Sequence, residues 1–403
     1  MSGGAIRFPS RLAVVTSDYP SPAQPTCGTF VREFAHAVAR QGVACTVIHP
    51  VAVHHAWRGK GYPFRDWEDA RGEKRVDVFR PRFLSFSARD AFIRLGPLSP
   101  SLFTLRRFTG AVIRTLRAQD LRPDALYGHF LYLAGAAAVR AGNAMGVPAF
   151  PCVGEGELWT VRWFGTERAR RDLAGACGFL ANSSALRRTL MDDLGISDER
   201  IGVFPNGTDL SEFKPRDRVV ARTKFGLPQD RFLVASAGNF LLKKGIVRVG
   251  EAIEGLENVA GVFAGSGPVP PRGANTLLCR RVSHGEMPDL LSACNVFVLP
   301  TLIEGSCNAL VEAMACGLPI ISSIGEFNDD LLADDMSIRV DPMDVGEIRR
   351  AIIRLRDDGA LRDRMAAAAM RRSRHFDVDD RARRILDFMA QAAGRMPAKE
   401  KKA

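Results

Sequence analysis

Short runs of apolar residues recur along the chain, and longer segments with apolar residues at helical spacing lie between them. Each run is bounded by glycine, proline or polar residues, which is typical of strands buried on both faces of a parallel sheet. The intervening segments are typical of amphipathic helices that cover such a sheet. The pattern therefore predicts an α/β fold of alternating strands and helices. The predicted strands are residues 11–17, 44–50, 125–128, 149–153, 179–182, 232–237, 259–265, 296–299, 320–323 and 337–340.

The most informative stretch is residues 295–323, NVFVLPTLIEGSCNALVEAMACGLPIISS. It predicts a buried strand at 296–299, a loop, a helix at 308–316 that Gly317 terminates, and a second strand at 320–323. A strand–loop–helix–strand unit of this kind belongs to a parallel sheet. Its loop lies at the end of the strands where such sheets bind ligands.

Two glutamates mark this unit, Glu304 in the loop and Glu312 in the helix. Glu312 is the only charge in an apolar helix, so we expect its carboxylate to have a polar partner. The free N–H groups of Asn308, Ala309 and Leu310 at the helix start predict an anion site. Two interpretations follow from these residues. Either a phosphate lies on the amides and a ribose diol on Glu312, or both carboxylates are structural.

Glu304, seven residues and Glu312, followed by AMACGLP, resemble the signature of the retaining family-4 glycosyltransferases. The resemblance implies a GT-B fold, in which two doubly wound Rossmann-like domains face each other across a cleft. It implies that Glu304 lies against the donor sugar and that Glu312 holds the ribose. With the anion site at the helix start, we expect the backbone from Ser306 and Cys307 into the helix to bind the donor diphosphate.

The first half of the chain carries further parts of this resemblance. Gly28 follows the first predicted strand and opens a helix, and the equivalent glycine of the family contacts the donor diphosphate. His129 ends a predicted strand within PDALYGHFLYLAGAAAV, and the resemblance places it near the donor sugar and the acceptor. The sequence has no G-x-G-x-x-G motif, which counts against a nicotinamide dehydrogenase.

The chain departs from the family pattern at two places. Val153 stands where family members often have histidine, so Glu155 or Glu157 becomes the candidate acceptor contact. Asn239 replaces an arginine of the family pattern, whereas Lys244 keeps the second cationic position for the diphosphate.

The length of 403 residues is sufficient for two domains of about 150–200 residues each. With the resemblance, we expect an acceptor-side domain at residues 1–205 and a nucleotide-sugar-binding domain at 206–376. A helix at 377–395 should return to the first domain, and 396–403 form a basic tail. Eight cysteines without a Cys-x-x-Cys pair predict neither disulfides nor a metal framework, and they fit a reducing cytoplasm.

The positive charge is unevenly distributed along the chain. Residues 1–122 hold 19 Lys/Arg and 9 Asp/Glu, so they carry +10 of the formal net charge of +11. Phe83 to Arg117 is rich in phenylalanine and arginine, and residues 101–120 predict a basic amphipathic helix. We expect peripheral docking on the anionic inner membrane face, with Phe103 or Phe108 inserted. The alternative is a basic enzyme that remains in solution. No nucleic-acid-binding module is recognised.

We expect no metal in the chemical step and no cofactor, because Asp377-Val378-Asp379 precedes a helix and is better interpreted as a cap. The predicted function is a retaining transfer of sugar from a nucleotide-diphosphate donor to a glycan or lipid-linked glycan in envelope polysaccharide synthesis. The alternatives are a GT-B nucleotide-sugar epimerase and a non-catalytic nucleotide-sugar-binding subunit.

Overall fold

The structure is a computed structural model that describes residues 9–22, 24–56, 62–72, 74–85, 100–158, 161 and 165–395. The chain divides into two compact units. The first comprises Met1–Phe204 with Asp379–Ala403, and the second comprises Pro205–Val378. The sequence analysis expects these divisions after residues 205 and 376.

The first unit is built on a mainly parallel sheet. Its described strands are β1 (Arg11–Thr16), β2 (Ala44–Ile48), β3 (Val51–Ala52), β4 (Arg65–Asp69), β5 (Arg75–Phe79), β6 (Arg82–Phe83), β7 (Ala125–His129), β8 (Ala149–Val153), β9 (Phe179–Ala181) and β10 (Ile201–Val203). Eight of them form one sheet in the order β10-β9-β8-β7-β1-β2-β5-β4, and β3 pairs with β6 separately. Neighbouring strands are parallel, except that β4 runs antiparallel to β5.

Helices cover both faces of this sheet, which explains the continuous apolar strands: all of β7 and residues 12–16 of β1 are buried. The described helices up to the division are α1 (Thr29–Arg40), α2 (Val53–Ala56), α3 (Pro100–Ala118), α4 (Ala136–Met145), α5 (Thr166–Leu173) and α6 (Ser184–Leu194). The strand register places Thr16 beside His129, and His129 beside Cys152. Polar residues of three strands therefore meet at the carboxyl edge of the sheet.

The second unit contains a parallel sheet in the order β13-β12-β11-β14-β15-β16. Its strands are β11 (Phe232–Asn239), β12 (Val259–Ser266), β13 (Thr276–Arg280), β14 (Val296–Leu299), β15 (Ile320–Ser323) and β16 (Ser337–Val340). Its described helices are α7 (Arg218–Phe225), α8 (Ile246–Ile253), α9 (Met287–Ser292), α10 (Asn308–Ala315), α11 (Val345–Asp357) and α12 (Gly359–Ser373). The predicted strand–loop–helix–strand unit is β14, α10 and β15.

The last helix, α13 (Val378–Gly394), belongs to the first unit from Asp379 onward. Its buried residues include Ala382, Ile385, Leu386 and Met389. They lie at the spacing of one apolar helix face, so this segment packs as a core helix of the first unit although it is distant from that unit in sequence.

The sequence analysis left residues 54–100 without strands, yet part of that stretch forms the β4–β5 pair. The strand β4 is at the sheet edge, and its residues alternate between exposed and half-buried, with Trp67 58% exposed. Such an edge strand lacks the apolar run by which buried strands are recognised. Residues 57–61, 73 and 86–99 of this stretch lie outside the described residues.

Candidate active site

Lys244 and Glu304 come together at the carboxyl edge of the second sheet. Lys244 ends the short helical turn after β11, and Glu304 lies in the loop after β14. Their side chains form an ion pair and are 21% and 14% exposed. Burial is the largest single effect and opposes the charged form of Lys244, but the negative charge of Glu304 and its hydrogen bond to the ammonium group contribute to a net rise of the Lys244 pKa. Lys244 therefore stays cationic in a partly dry environment.

Backbone contacts hold these two loops against each other. The Lys243 carbonyl accepts hydrogen bonds from the Leu302 amide at 2.8 Å and from Thr301 Oγ1 at 3.1 Å. Gly245 has φ +71°, and a Cβ there would overlap the Pro300 carbonyl oxygen. Only glycine permits this approach, so the turn that carries Lys244 is fixed directly on the loop that carries Glu304.

The start of α10 presents backbone donors beside this ion pair. No side chain caps the helix, and the amides of Asn308 and Ala309 make no hydrogen bond within the described part of the chain. The Leu310 amide differs from the prediction, because it bonds to the Cys307 carbonyl at 3.2 Å. The Cys307 thiol is buried, which raises its pKa to about 12, so this residue contributes its backbone and not a thiolate.

Asn206 braces the loop before α10. Its amide donates to Ser306 Oγ at 2.9 Å, and its Nδ2 donates to the Ser306 carbonyl at 3.0 Å and to Asn308 Oδ1 at 2.6 Å. These bonds use side-chain and carbonyl groups of the loop but leave the Asn308 amide available. The first residues of the second unit thus hold the helix start in position.

Glu312 lies one turn into α10 and is 9% exposed. Burial raises its pKa to about 7. The polar partner expected from the sequence is absent among the described residues, since none hydrogen-bonds or pairs with its carboxylate. A buried carboxylate without a protein partner destabilises the fold unless a bound group offers hydrogen-bond donors.

Asn239 ends β11 with an exposed side chain that makes no hydrogen bond to a described residue. Its register neighbour on β12 is Ser266, whose hydroxyl accepts a 2.6 Å hydrogen bond from Arg281 Nε. The terminal nitrogens of Arg281 have no hydrogen-bond partner among the described residues. A cation therefore lies next to the position where the family pattern has its arginine. The sequence analysis missed Arg281, because it is 42 positions from Asn239 and follows a different strand.

His129 ends β7 in the first unit and is 3% exposed. Burial and the nearby charge of Arg381 lower its pKa to about 3, so the imidazole is neutral. The Tyr127 hydroxyl lies 2.7 Å from Nδ1, whereas no described residue hydrogen-bonds Nε2. The rings of Phe30 and Phe130 lie 5.1 and 4.7 Å from the imidazole. No pattern in the sequence indicates the roles of Tyr127 and Arg381, which reach His129 only through the fold.

The predicted acceptor residue Glu155 holds the backbone after His129. It accepts hydrogen bonds from the amides of Leu131 at 2.7 Å and Gly154 at 3.0 Å, and burial raises its pKa to about 7. Its carboxylate is thus already engaged, which favours a structural role over acceptor contact. Glu157 lies two residues on and is exposed.

Gly28 precedes α1 with φ +66°, and a Cβ there would overlap the Asp18 carbonyl oxygen. The missing side chain is therefore required by the packing of the loop after β1, a reason that the sequence analysis did not consider.

Asp379, of the Asp-x-Asp sequence, lies in the first turn of α13 and pairs with Arg40 at 2.6 Å. No helix in the described residues is long and apolar enough to span a membrane.

Comparison with known proteins relates both units to one enzyme class. The family model described as Glycosyltransferase Family 4 matches residues 27–212, and the model described as Glycosyl transferases group 1 matches residues 217–372. The teichuronic acid biosynthesis glycosyltransferase TuaC of Bacillus subtilis is 27% identical over 353 residues, which cover 84% of this chain and 87% of TuaC. The D-inositol 3-phosphate glycosyltransferase of Thermomonospora curvata is 28% identical over 343 residues, 72% of this chain and 78% of that protein.

Solved structures agree on the fold. The sucrose-phosphate synthase of Thermosynechococcus elongatus has a TM-score of 0.76 at 17% identity and covers 96% of this chain and 100% of its own. HepE of Anabaena in complex with UDP-glucose has a TM-score of 0.67 at 17% identity, over 94% and 99% of the two chains. With the Glu304–Glu312 unit, the paired family models and this fold, the chain belongs to the family-4 glycosyltransferases of the GT-B fold.

Proposed function

We propose that this glycosyltransferase moves a hexosyl group, with retention of configuration, from a nucleotide-diphosphate donor to a glycan or lipid-linked glycan of the cell envelope. The observation that carries the proposal is the carboxyl edge of the second sheet. There a partly buried cation, Lys244, lies beside Glu304, while the partnerless carboxylate of Glu312 lies below an uncapped helix start.

These groups match the parts of a nucleotide-diphosphate sugar. The Asn308 and Ala309 amides and the Lys244 ammonium suit the diphosphate, whose charge grows as the sugar departs. Two ribose hydroxyls would supply the donors that the Glu312 carboxylate lacks. Arg281 adds a second cation next to Asn239, in place of the arginine that the sequence does not have at that position.

In the proposed reaction the bond between the anomeric carbon and the diphosphate oxygen breaks. The acceptor oxygen forms its new bond on the same face of the sugar, and its proton passes to the departing diphosphate. Glu304 and His129 would orient and stabilise the sugar. His129 is neutral, so it would act as a hydrogen-bond donor or acceptor and not as an imidazolium acid.

The names of the relatives support an envelope glycan as the product class. TuaC is named for teichuronic acid biosynthesis, and HepE was crystallised with UDP and with UDP-glucose. A uridine diphosphate sugar is therefore the first donor to test.

The surface of α3 supports a membrane-linked acceptor. Arg106, Arg107, Arg114 and Arg117 are exposed on one face with Phe103, which is 37% exposed. Phe108 is 1% exposed, so it packs in the core and cannot insert as the sequence analysis expected. Each basic residue near an anionic surface contributes roughly 1 kcal/mol, so this face would give weak, reversible docking.

A thermal-shift panel of uridine, guanosine and adenosine diphosphate sugars tests the donor. We expect one base to stabilise the protein and one sugar to support transfer to a lipid-linked or glycan acceptor. NMR of the product then reports whether the anomeric configuration is retained. Release of free nucleotide and an altered sugar without acceptor would instead identify an epimerase, and no binding at all would favour a non-catalytic subunit.

A further inference from the structure

The Tyr127 hydroxyl and the His129 imidazole form a buried pair on β7. The two residues are two positions apart on one strand, so their side chains lie on the same face of the sheet. The hydroxyl oxygen is 2.7 Å from Nδ1. Tyr127 is completely buried, so water does not compete for this hydrogen bond.

Arg381 of α13 reaches the same hydroxyl from the other end of the chain. Burial raises the pKa of the Tyr127 hydroxyl, and the nearby positive charge of Arg381, a residue that is 4% exposed, acts in the opposite direction. It also donates to Asn182 Oδ1 at 3.2 Å and to the Phe204 carbonyl at 3.3 Å. The guanidinium lies 5.7 Å above the Phe34 ring. These contacts from several sides fix the group in one position.

The direction of the hydroxyl proton follows from donor and acceptor chemistry. A guanidinium can only donate, so Arg381 cannot accept the Tyr127 proton, and that proton must point elsewhere. The candidate acceptors are His129 Nδ1 and Cys152 Sγ. A thiol sulfur is a weak acceptor, and Cys152 donates its own proton to Asn182 Oδ1 at 3.3 Å. The proton therefore goes to Nδ1, and the single proton of the neutral imidazole is on Nε2.

We propose that Arg381, acting through Tyr127, is a positioning residue that holds His129 in the Nε2–H tautomer, so that Nε2 donates a hydrogen bond to a sugar oxygen. The proposal rests on the role of His129 in the proposed function. It makes the last helix part of the catalytic arrangement, because that helix supplies the cation that orients the hydroxyl. Arg381 and Tyr127 need not touch the substrate.

Nitrogen-15 NMR of the full chain labelled at histidine tests the tautomer directly, with His129→Gln used to assign the signal. We expect a neutral imidazole with the proton on Nε2 and a hydrogen-bonded Nδ1 between about pH 5 and 8. A proton on Nδ1 in the native chain would overturn the proposal.

Two variants separate the chain of hydrogen bonds from general packing. Tyr127→Phe should remove the hydrogen-bond shift of Nδ1. Its matched control is Tyr132→Phe, which loses a buried hydroxyl that lies 3.4 Å from Asp172 Oδ2. Arg381→Gln should admit the Nδ1–H tautomer, since glutamine can accept the Tyr127 proton, whereas Arg381→Lys should preserve the native signal. An identical signal in Tyr127→Phe and Tyr132→Phe would contradict the proposal.

Turnover provides the second measurement. We expect Tyr127→Phe and Arg381→Gln to lower kcat by about tenfold or more with a donor KM close to native, because the hydrogen bond serves the transition state. Partial rescue by Arg381→Lys would distinguish this effect from loss of packing. If His129→Gln keeps full turnover, the proposed role of His129 fails, while the NMR result still decides the tautomer.

Discussion

Lys244 and Glu304 form an ion pair across 60 positions of sequence, at the carboxyl ends of β11 and β14. The pair brings together the residue predicted to bind the diphosphate, Lys244, and the residue predicted to lie against the donor sugar, Glu304. A diphosphate bound beside Lys244 would compete with Glu304 for the ammonium group and release the carboxylate toward the sugar. The two residues should therefore respond differently to substitution.

We expect Lys244→Ala to weaken nucleoside diphosphate binding by roughly 1.5–3 kcal/mol, because one charge-assisted contact is lost. Isothermal titration calorimetry measures the effect. The matched control is Lys243→Ala, since Lys243 is exposed and its structural contacts use the backbone carbonyl. Equal losses in both variants would show that only the general positive field matters.

Glu304→Ala and His129→Ala should each remove most turnover with smaller losses of donor affinity, because their proposed contacts with the sugar matter mainly in the transition state. The pKa of His129 near 3 leaves its ring neutral at neutral pH. We therefore expect no inflection of kcat between about pH 5 and 8 from this residue. Native turnover in either variant on the true acceptor would remove that residue from the site.

The Glu312→Gln substitution should weaken donor binding. Above pH 7 it should also make the protein more stable than the native protein. The folded-state pKa of about 7 exceeds the ordinary value of 4.5, so the folded state binds the extra proton between these values. Stability therefore falls as pH rises through this window, by roughly 1.4 kcal/mol for each unit of pKa difference. Glutamine is neutral and avoids that cost. Thermal unfolding at pH 5 and 8 and donor titrations check both effects.

The same titration predicts that donor affinity of the native protein falls as pH drops below about 7, since a protonated Glu312 offers a ribose diol one acceptor fewer. The Glu312→Gln variant should lack this pH dependence. An unchanged dependence in the variant would assign it to another group.

Arg281→Ala should weaken binding of the diphosphate more than that of the free nucleoside, because the proposed contact is with phosphate. Arg280→Ala is the control, since Arg280 is the exposed neighbour at the end of β13. Calorimetry with nucleoside, monophosphate and diphosphate locates the loss. A similar loss for the nucleoside alone would place Arg281 near the base.

Sedimentation with liposomes tests the surface of α3. Replacing Arg106, Arg114 and Arg117 by glutamate should abolish binding to anionic vesicles, and high salt should weaken native binding. The control replaces Arg354, Arg364 and Arg371, which are exposed on the second unit. Equal binding to anionic and neutral vesicles would contradict docking through α3. An equal loss of binding in both triple variants would also contradict it.

Much of the fold could be predicted because buried parallel strands have an unmistakable pattern. The α/β class and the GT-B family are confirmed, and the unit β14–α10–β15 lies where its apolar runs and Gly317 indicate. The edge strand β4 escaped detection, because three of its five residues are exposed and four of the five carry charge. A local pattern reports burial, and an edge strand is only partly buried.

The sequence by itself determined which residues of the second unit are candidates for its chemistry: Glu304, Glu312, Lys244 and the helix start all follow from local motifs. Only the tertiary structure decided which side chains contact them. The pairing of Lys244 with Glu304, the place of Arg281 beside Asn239 and the effect of Arg381 on Tyr127 all join distant segments. The absence of a partner for Glu312 is likewise a property of the fold. Strand order and register create such neighbours, and no local spacing encodes them, because side-chain contacts between strands depend on which strands the sheet brings together.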